Sequence, residues 1–282
     1  MIYKRRCSFV IPAYNEARRL PATLTAIAQL SASCLGRCEI VVADDGSTDS
    51  TLEVARAFRA PFCRLRVLRL PHRGKGFAVR RGVHLAHGEI ILLCDADLHD
   101  GVAEVVSLEA AICNGADIAI GSRWLSHLEC LGSQPLYRRV SSRLFNLLAG
   151  RLMALPFKDT QCGLKALTRR AAKQVFPLLS LDGWGYDIEM IHVALTLGLR
   201  VQEVDLRLIH EYRDTHLRPI ADGWATLWEL LRIRRNHRRG AYGVATAGAH
   251  ATPRAAALRE TVTLNPIGSS AVAGSRAHQD AA

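Results

Sequence analysis

What most limits the fold of this chain is a repeated order in its first 120 residues. A short apolar run gives way to a polar break, then to a helical pattern, then to the next apolar run. Cys7 to Ile11 reads as a strand, and residues 20–31 carry Leu20, Leu24, Ile27 and Ala28 at helical spacing. Glu39 to Ala43 reads as a second strand, after which Thr48, Asp49 and Ser50 offer caps for a helix through Phe58. Arg64 to Leu70, Glu89 to Cys94 and Asp117 to Ile120 continue the series. Ile90 to Cys94 is apolar without interruption, the pattern of a strand covered on both faces of a parallel sheet. Strand and helix in alternation predict an α/β doubly wound sheet.

Polar residues cluster just after the strand ends: Asn15-Glu16, Asp44-Asp45 and Asp95-Asp97. Open α/β sheets bind ligands outside the carboxyl ends of their strands, so these clusters converge on one crevice. In extended backbone, Asp95 and Asp97 point to the same side and can share one divalent cation. Hard oxygen ligands suit Mg²⁺ or Mn²⁺, ions that commonly bridge a phosphate. A lone D-x-D is more often a solvated turn; two further acidic clusters at neighbouring strand ends favour the metal. Asp44-Asp45-Gly46-Ser47 reads both as a turn with a helix cap and as a carboxylate facing a base or ribose hydroxyl. His72-Arg73-Gly74-Lys75-Gly76 offers cations and pliable backbone near a diphosphate. It lacks the G-x-x-x-x-G-K-[ST] spacing, which excludes a P-loop kinase or ATPase.

Beyond residue 125 the pattern loosens. Residues 138–153 form an amphipathic pattern, 186–197 read as a helix, 200–206 as a strand and 223–239 as a last helix. That last helix carries Trp224, Leu227, Trp228 and Leu231 at i, i+3, i+4 and i+7, followed by Arg232, Arg234, Arg235, Arg238 and Arg239. Tryptophan beside arginine on an amphipathic helix suits a membrane interface. Packing of the apolar stripe on the domain is the other reading, and the two are compatible. The expected organisation is a catalytic domain over 1–240 and a tail over 241–282, rich in small residues and read as disordered.

Composition narrows the classes. The chain has 282 residues, 49% of them hydrophobic, which excludes a wholly disordered protein. No apolar run approaches the roughly 20 residues of a membrane span, which excludes a polytopic membrane protein. The eight cysteines are scattered without a C-x-x-C pair, so zinc is not expected and a reducing compartment is. No secretion leader is read at the start, because the apolar run after Arg6 stops at Pro12. The formal charge is +11, and of 37 basic residues only Lys4, Lys75, Lys158, Lys165 and Lys173 are lysine. Arginine is the better fork for phosphate oxygens, so nucleic acid, anionic lipid and phosphorylated small molecules all stay open. Codon bias explains the arginine preference equally well.

Four ordered segments carry a resemblance: Val10-Ile11-Pro12-Ala13-Tyr14-Asn15-Glu16, Asp44-Asp45-Gly46-Ser47-Thr48-Asp49, Gly74-Lys75-Gly76 and Asp95-Ala96-Asp97. Together they resemble the successive motifs of glycosyltransferase family 2. Gly121-Ser122-Arg123 and Asp159-Thr160-Gln161-Cys162-Gly163-Leu164-Lys165 narrow the resemblance to the polyprenyl-phosphate hexosyltransferases. The second of these looks closer to dolichyl-phosphate glucosyltransferases than to the mannosyl enzymes. The resemblance covers about residues 7 to 235 and excludes the tail. It implies a GT-A fold, a Rossmann-like three-layer sandwich with a mostly parallel sheet, and a nucleotide-sugar donor. It places Pro12, Tyr14, Glu16, Asp44 and Asp45 around the nucleoside, with Lys75 and Asp95 also on the donor. Asp95 and Asp97 would hold Mg²⁺ or Mn²⁺. His99 stands where the mannosyl enzymes carry a glutamine that helps the metal, a departure that leaves an exposed loop histidine as the other reading.

On the acceptor side, Arg138 and Ser142 match an Arg-x-x-x-Ser element whose i and i+4 positions share one helix face. An arginine fork with a hydroxyl suits a phosphate monoester, and Arg123 and Lys165 could add charge. The resemblance implies transfer of glucose from UDP-glucose to a polyprenyl phosphate, with inversion, at the cytoplasmic face of a membrane. A phosphate acceptor is already anionic near neutral pH, so no strong base is required. Asp97, Arg123, Arg138 and Ser142 would then carry catalysis through positioning and charge. Asp159, Lys165 and Glu189 would shape the site. A GDP-mannose donor remains an alternative. So does a sugar-hydroxyl acceptor, for which Asp159, Asp182, Asp187 and Glu189 could supply a base. Three rivals come from other classes. A nucleic-acid binder leaves the acidic strand ends unexplained. A nucleotidyltransferase would need a glycine-rich loop where Pro12 to Glu16 stand. An inert sugar-nucleotide sensor would not need an intact metal pair.

Overall fold

The computed structural model describes residues 6–122, 153, 155–206 and 219–243, the side chains of 99, 100 and 219–227 excepted. Seven strands form one sheet: β1 (Cys7–Ala13), β2 (Cys38–Asp44), β3 (Cys63–Arg69), β4 (Ile90–Cys94), β5 (Ile118–Ser122), β6 (Leu164–Thr168) and β7 (Val201–Asp205). Their spatial order is β3-β2-β1-β4-β6-β5-β7. β1 pairs in parallel with β2 and β4, β2 with β3, and β5 with β7. Only β6 runs backwards, between β4 and β5.

Side-chain alternation sorts the strands into two cores. Phe9, Ile11, Ile40, Val42, Ile90 and Leu92 point to one face. There they meet Leu20, Leu24 and Ile27 of α1 (Leu20–Leu30) and Leu108 and Ile112 of α4 (Val105–Cys113). Val10, Val41, Ile91 and Leu93 point the other way. They meet α3 (Lys75–Leu85), α5 (Arg169–Val175) and α6 (Tyr186–Thr196), which bring Val79, Val175 and Ile191. The three-layer sandwich and the mostly parallel sheet are as expected. All five residues of β4 are buried, as its unbroken apolar run requires.

Most boundaries fall within two residues of the sequence reading, with α2 at Thr51–Ala57. The first helix is followed by a π-helical turn over Ser31–Leu35, closed by Gly36 in the left-handed region at φ 75°. β6 and α5 are additions to that reading. Leu164-Lys165-Ala166-Leu167 hides a strand because a lysine breaks its apolar run. Lys165 is nevertheless buried, paired at 2.6 Å with Asp187 and donating to the Cys162 carbonyl. The amphipathic segment 138–153 lies outside the described residues, apart from Met153. The last helix, α7 (Pro219–Arg238), starts four residues earlier than the 223 read from sequence. Tyr242, two residues past the boundary set at 240, is buried in the same core, so the packed body extends at least that far.

Tyr242 belongs to a polar seam between α6 and α7. Its hydroxyl donates to Glu189 at 2.8 Å, and Asn236 donates to the Ser180 hydroxyl at 3.1 Å. His192 Nε2 lies 3.2 Å from His237 Nδ1. Burial, and then the neighbouring His237, push His192 down to about 4. An unfolded histidine titrates near 6.5. Between those values the unfolded chain takes up a proton that the folded chain refuses, so stability is lost as pH falls through this window. The loss is up to about 3 kcal/mol. The thermal midpoint is therefore expected to drop between pH 6.5 and pH 4, and a His192→Gln variant to lose much of that drop. An unchanged slope in the variant would assign the acid sensitivity elsewhere.

Candidate active site

Parallel pairing brings three strand ends to one edge. Ala13 stands in register with Asp44, so the segments that follow β1 and β2 leave the sheet together. Asn15, in the left-handed region at φ 56°, knits them. Its carboxamide oxygen accepts from the Thr48 amide at 2.8 Å, and its own amide donates to the Ser47 hydroxyl at 2.9 Å. The Glu16 amide donates to Thr51 Oγ1 at 2.7 Å. Asx geometry lets asparagine hold such a turn at small steric cost.

The two aspartates after β2 have separate fates. Asp45 is buried, and its carboxylate is taken up by the loop before α3. Oδ1 accepts from the Arg73 amide at 3.0 Å, and Oδ2 from the Gly74 amide at 2.9 Å. His72 Nδ1 lies 2.8 Å from Oδ2. The His72 ring in turn stacks on Tyr14, centroids 4.1 Å apart and planes 18° from parallel. Asp45 thus builds a flat aromatic platform at the sheet edge, and His72, read from sequence as part of a loop offering cations to a diphosphate, serves in it as a ring stacked on Tyr14. Asp44 is equally buried, but its Oδ1 has no hydrogen-bond partner among the described residues. A buried acceptor without a donor costs roughly 1–3 kcal/mol, so this oxygen is ready for a ligand's hydroxyl or amide.

Beyond β4 the charges alternate. Lys75 Nζ sits 2.7 Å from Asp95 Oδ1. Burial pulls the ammonium down, but Asp95 and Asp187 outweigh it and hold its pKa up at about 12. Asp97 Oδ2 lies 3.4 Å from Nη1 of Arg19. Arg19 also forks onto Glu16, with Nε and Nη2 each 2.6 Å from a carboxylate oxygen. Burial lifts the Glu16 carboxyl to about 7 against the pull of Arg19, and Asp97 and Asp95 push it the same way. Arg19 carries no motif signal; only its position one turn after Glu16 could have marked it. Gly163 presses on this group, because a Cβ there would collide with the Asp95 carboxylate.

A second loop closes the site. Arg73 reaches Asp182 at 2.6 Å and Arg80 binds the same carboxylate. Burial raises the Asp182 carboxyl, but the hydrogen bonds from Arg80 and Arg73 hold it below the usual carboxylate range. Gly74, at φ 120°, leaves no room for a Cβ against the Asp182 carbonyl. Trp184 stands exposed with Lys75 Nζ 5.0 Å from its ring centroid, a cation–π contact that was not foreseen. Behind the loop, Glu189 accepts from the Ser180 and Leu181 amides at 3.0 and 2.9 Å, and from the Ser180 and Tyr242 hydroxyls. Glu229 of α7 accepts from the Gly185 amide at 2.7 Å.

Of the expected site residues, Pro12, Tyr14, Glu16, Asp44, Asp45, Lys75, Asp95 and Asp97 gather at this edge. Lys165 and Glu189 stand behind it as internal partners of Asp187 and of the Ser180 loop. Asp159 is buried, its amide held by Glu203 at 2.8 Å. Arg123, Arg138, Ser142 and the side chain of His99 lie outside the described residues.

Comparison with known proteins agrees with this geometry. The model of the Glycosyl transferase family 2 matches residues 8–176. A mouse dolichyl-phosphate beta-glucosyltransferase is 35% identical over 214 residues, 71% of this chain and 66% of that protein. The chain thus spans about two thirds of that relative. The Dictyostelium discoideum enzyme of the same name is 32% identical over 242 residues, covering 80% of this chain and 73% of its own. Among solved structures, glucosyl-3-phosphoglycerate synthase from Mycobacterium tuberculosis, in complex with Mn²⁺, UDP and its glucosylated product, has a TM-score of 0.60. It is 20% identical and covers 86% of this chain and 82% of its own, a likeness of GT-A fold. Strand ends, motifs and relatives converge: the chain belongs to glycosyl transferase family 2.

Proposed function

We propose that this chain moves glucose from UDP-glucose onto a polyprenyl phosphate such as dolichyl phosphate, with inversion at the sugar carbon. The observation that carries the acceptor class is the engagement of the candidate bases Asp182, Asp187 and Glu189. Asp182 is held by two arginines, Asp187 by Lys165, and Glu189 by four donors of its own chain. A hydroxyl acceptor needs a base. A phosphate monoester with a second pKa of about 6 arrives as its own nucleophile. The names of the relatives favour the same reading.

The donor end fits the same account. Tyr14 and His72 offer a flat surface to a base, and the unpartnered Asp44 oxygen offers an acceptor to a nucleoside hydroxyl or amide. The hard oxygens of Asp95 and Asp97 fit Mg²⁺ or Mn²⁺, with the bare Cα of Gly163 set close against the Asp95 carboxylate. Among the described residues no third histidine, cysteine or carboxylate joins them, and the side chain of His99, expected beside the metal, lies outside those residues. Bound there, the ion would neutralise the charge that builds on the leaving diphosphate. Lys75 would share that task at the α3 N-terminus, and Arg123, Arg138 and Ser142 would hold the acceptor phosphate.

The last helix supports a membrane-surface role. Its core-facing residues are Leu230 and Ile233, both essentially inaccessible. Trp228 is 69% exposed and Leu231 44%, on the face that also carries Arg232 and Arg235. Trp228 and Leu231 are therefore not packing residues, the packing reading transfers to Leu230 and Ile233, and the side chains of Trp224 and Leu227 lie outside the described residues. No helix among the described residues is long and apolar enough to cross a membrane. Each arginine near an anionic leaflet contributes roughly 1 kcal/mol.

With Mn²⁺, UDP-[¹⁴C]glucose and a short polyprenyl phosphate, label is expected to enter the organic phase. Asp97→Ala should lower that transfer at least about a hundredfold, the scale of a lost charge stabiliser. Nucleotide binding without transfer from any donor would refute the lipid-phosphate reading. Arg138→Ala should raise the KM for lipid phosphate about tenfold while leaving the donor KM within about twofold. Equal rises would remove Arg138 from the acceptor site. A Trp228→Ser/Leu231→Ser double variant should lose most of its binding to vesicles containing anionic lipid; wild-type binding would reduce α7 to a packing role.

A further inference from the structure

The carboxylates assigned to the metal are not bare in the ligand-free chain. Asp95 is paired with Lys75 at 2.7 Å, and Asp97 lies 3.4 Å from the Arg19 guanidinium. Arg19 is not a loose surface arginine. It stands at the N-cap of α1, its side chain is 24% exposed, and both limbs of its fork are fixed on Glu16 at 2.6 Å. Its third nitrogen, Nη1, is the one presented to Asp97. Glu16 is thereby an anchor that aims a cation at the metal pair.

We infer that Arg19 is an internal counter-cation that holds Asp97 until the nucleotide diphosphate arrives, and so makes metal binding depend on the donor. The inference rests on the donor-site reading above. The argument is one of charge. A divalent cation entering alone meets Lys75 and Arg19 already seated on the two carboxylates, and has to displace positive charge from a partly buried site. A diphosphate brings anionic oxygens of its own. It offers the displaced cations new partners and offers the metal further ligands. Metal and nucleotide should therefore each tighten the other, by the same factor. Arg19 suits the exchange because its bidentate bond to Glu16 survives when Nη1 leaves Asp97, so the guanidinium stays in the site. Arginine keeps its charge at every relevant pH. Arg19 is in this sense a positioning residue, acting through Asp97.

The test is Mn²⁺ binding to the full-length chain, read by the electron paramagnetic resonance signal of free Mn²⁺, with and without UDP. In the wild type, UDP is expected to tighten Mn²⁺ binding about tenfold or more. In Arg19→Gln, Mn²⁺ without nucleotide should bind several-fold more tightly than in the wild type. The gain from UDP should shrink by a similar factor, and so should the gain in UDP affinity from Mn²⁺. Arg19→Lys keeps a cation but cannot fork onto Glu16 and span to Asp97, so it should fall between the two. It also serves if the glutamine variant does not fold. Asp97→Ala marks the signal that belongs to this site. If Arg19→Gln binds nucleotide-free Mn²⁺ no more tightly than the wild type and keeps the full gain from UDP, the inference is overturned while the metal site stands. If wild type with UDP holds no more Mn²⁺ than Asp97→Ala, the metal assignment fails and the inference falls with it.

Discussion

The site depends on charge compensation at the end of one buried strand. β4 is five residues of apolar side chains covered on both faces, and it ends by exposing Asp95 and Asp97. Carboxylates so close to a dry core need opposite charge nearby. The chain supplies it from two different elements: Lys75 from the start of α3 and Arg19 from the start of α1. Each cation ties a separate part of the sandwich to the same spot. Stability and readiness for an anionic ligand thus come from one arrangement.

The loops obey the same logic with backbone donors. Asp45 collects two amides and His72 around the turn before α3, and Glu189 collects the amides of Ser180 and Leu181. Arg73 and Arg80 then lock the two loops together through Asp182. Buried carboxylates act as fasteners for backbone that would otherwise lose water without gaining partners. Tyr14 of the aromatic platform and Trp184 are the parts left accessible.

Much of this was legible in the sequence, for a physical reason. Parallel strands covered on both faces leave unbroken apolar runs, and ligands gather where such runs end. β1, β2 and β4, and the acidic residues after them, could therefore be read directly. β6 could not. Its lysine is neutralised by Asp187, a partner 22 residues along the chain, and no local pattern announces a long-range ion pair. Arg19 and the platform role of His72 escaped for the same reason: both lie in contacts with Asp97 and with Asp45 and Tyr14, not in spacing. On α7 the reverse happened. Trp228 and Leu231 of the apolar stripe face outward, and burial went instead to Leu230 and Ile233. Periodicity finds an amphipathic face but does not say which neighbour covers it.

The reversed strand has a consequence for how the molecule is made. β1 to β4 pair only with one another and with β6, and all four are complete once residue 94 has been synthesised. β5 has no described hydrogen-bonded neighbour until residue 164, and its other partner, β7, begins at 201. The half built on β1 to β4 can thus assemble while the chain is still emerging, whereas β5 must wait with both edges open. Such waiting edges are where nascent chains pair wrongly. The short length of β5, five residues, limits how much edge is on offer during that interval.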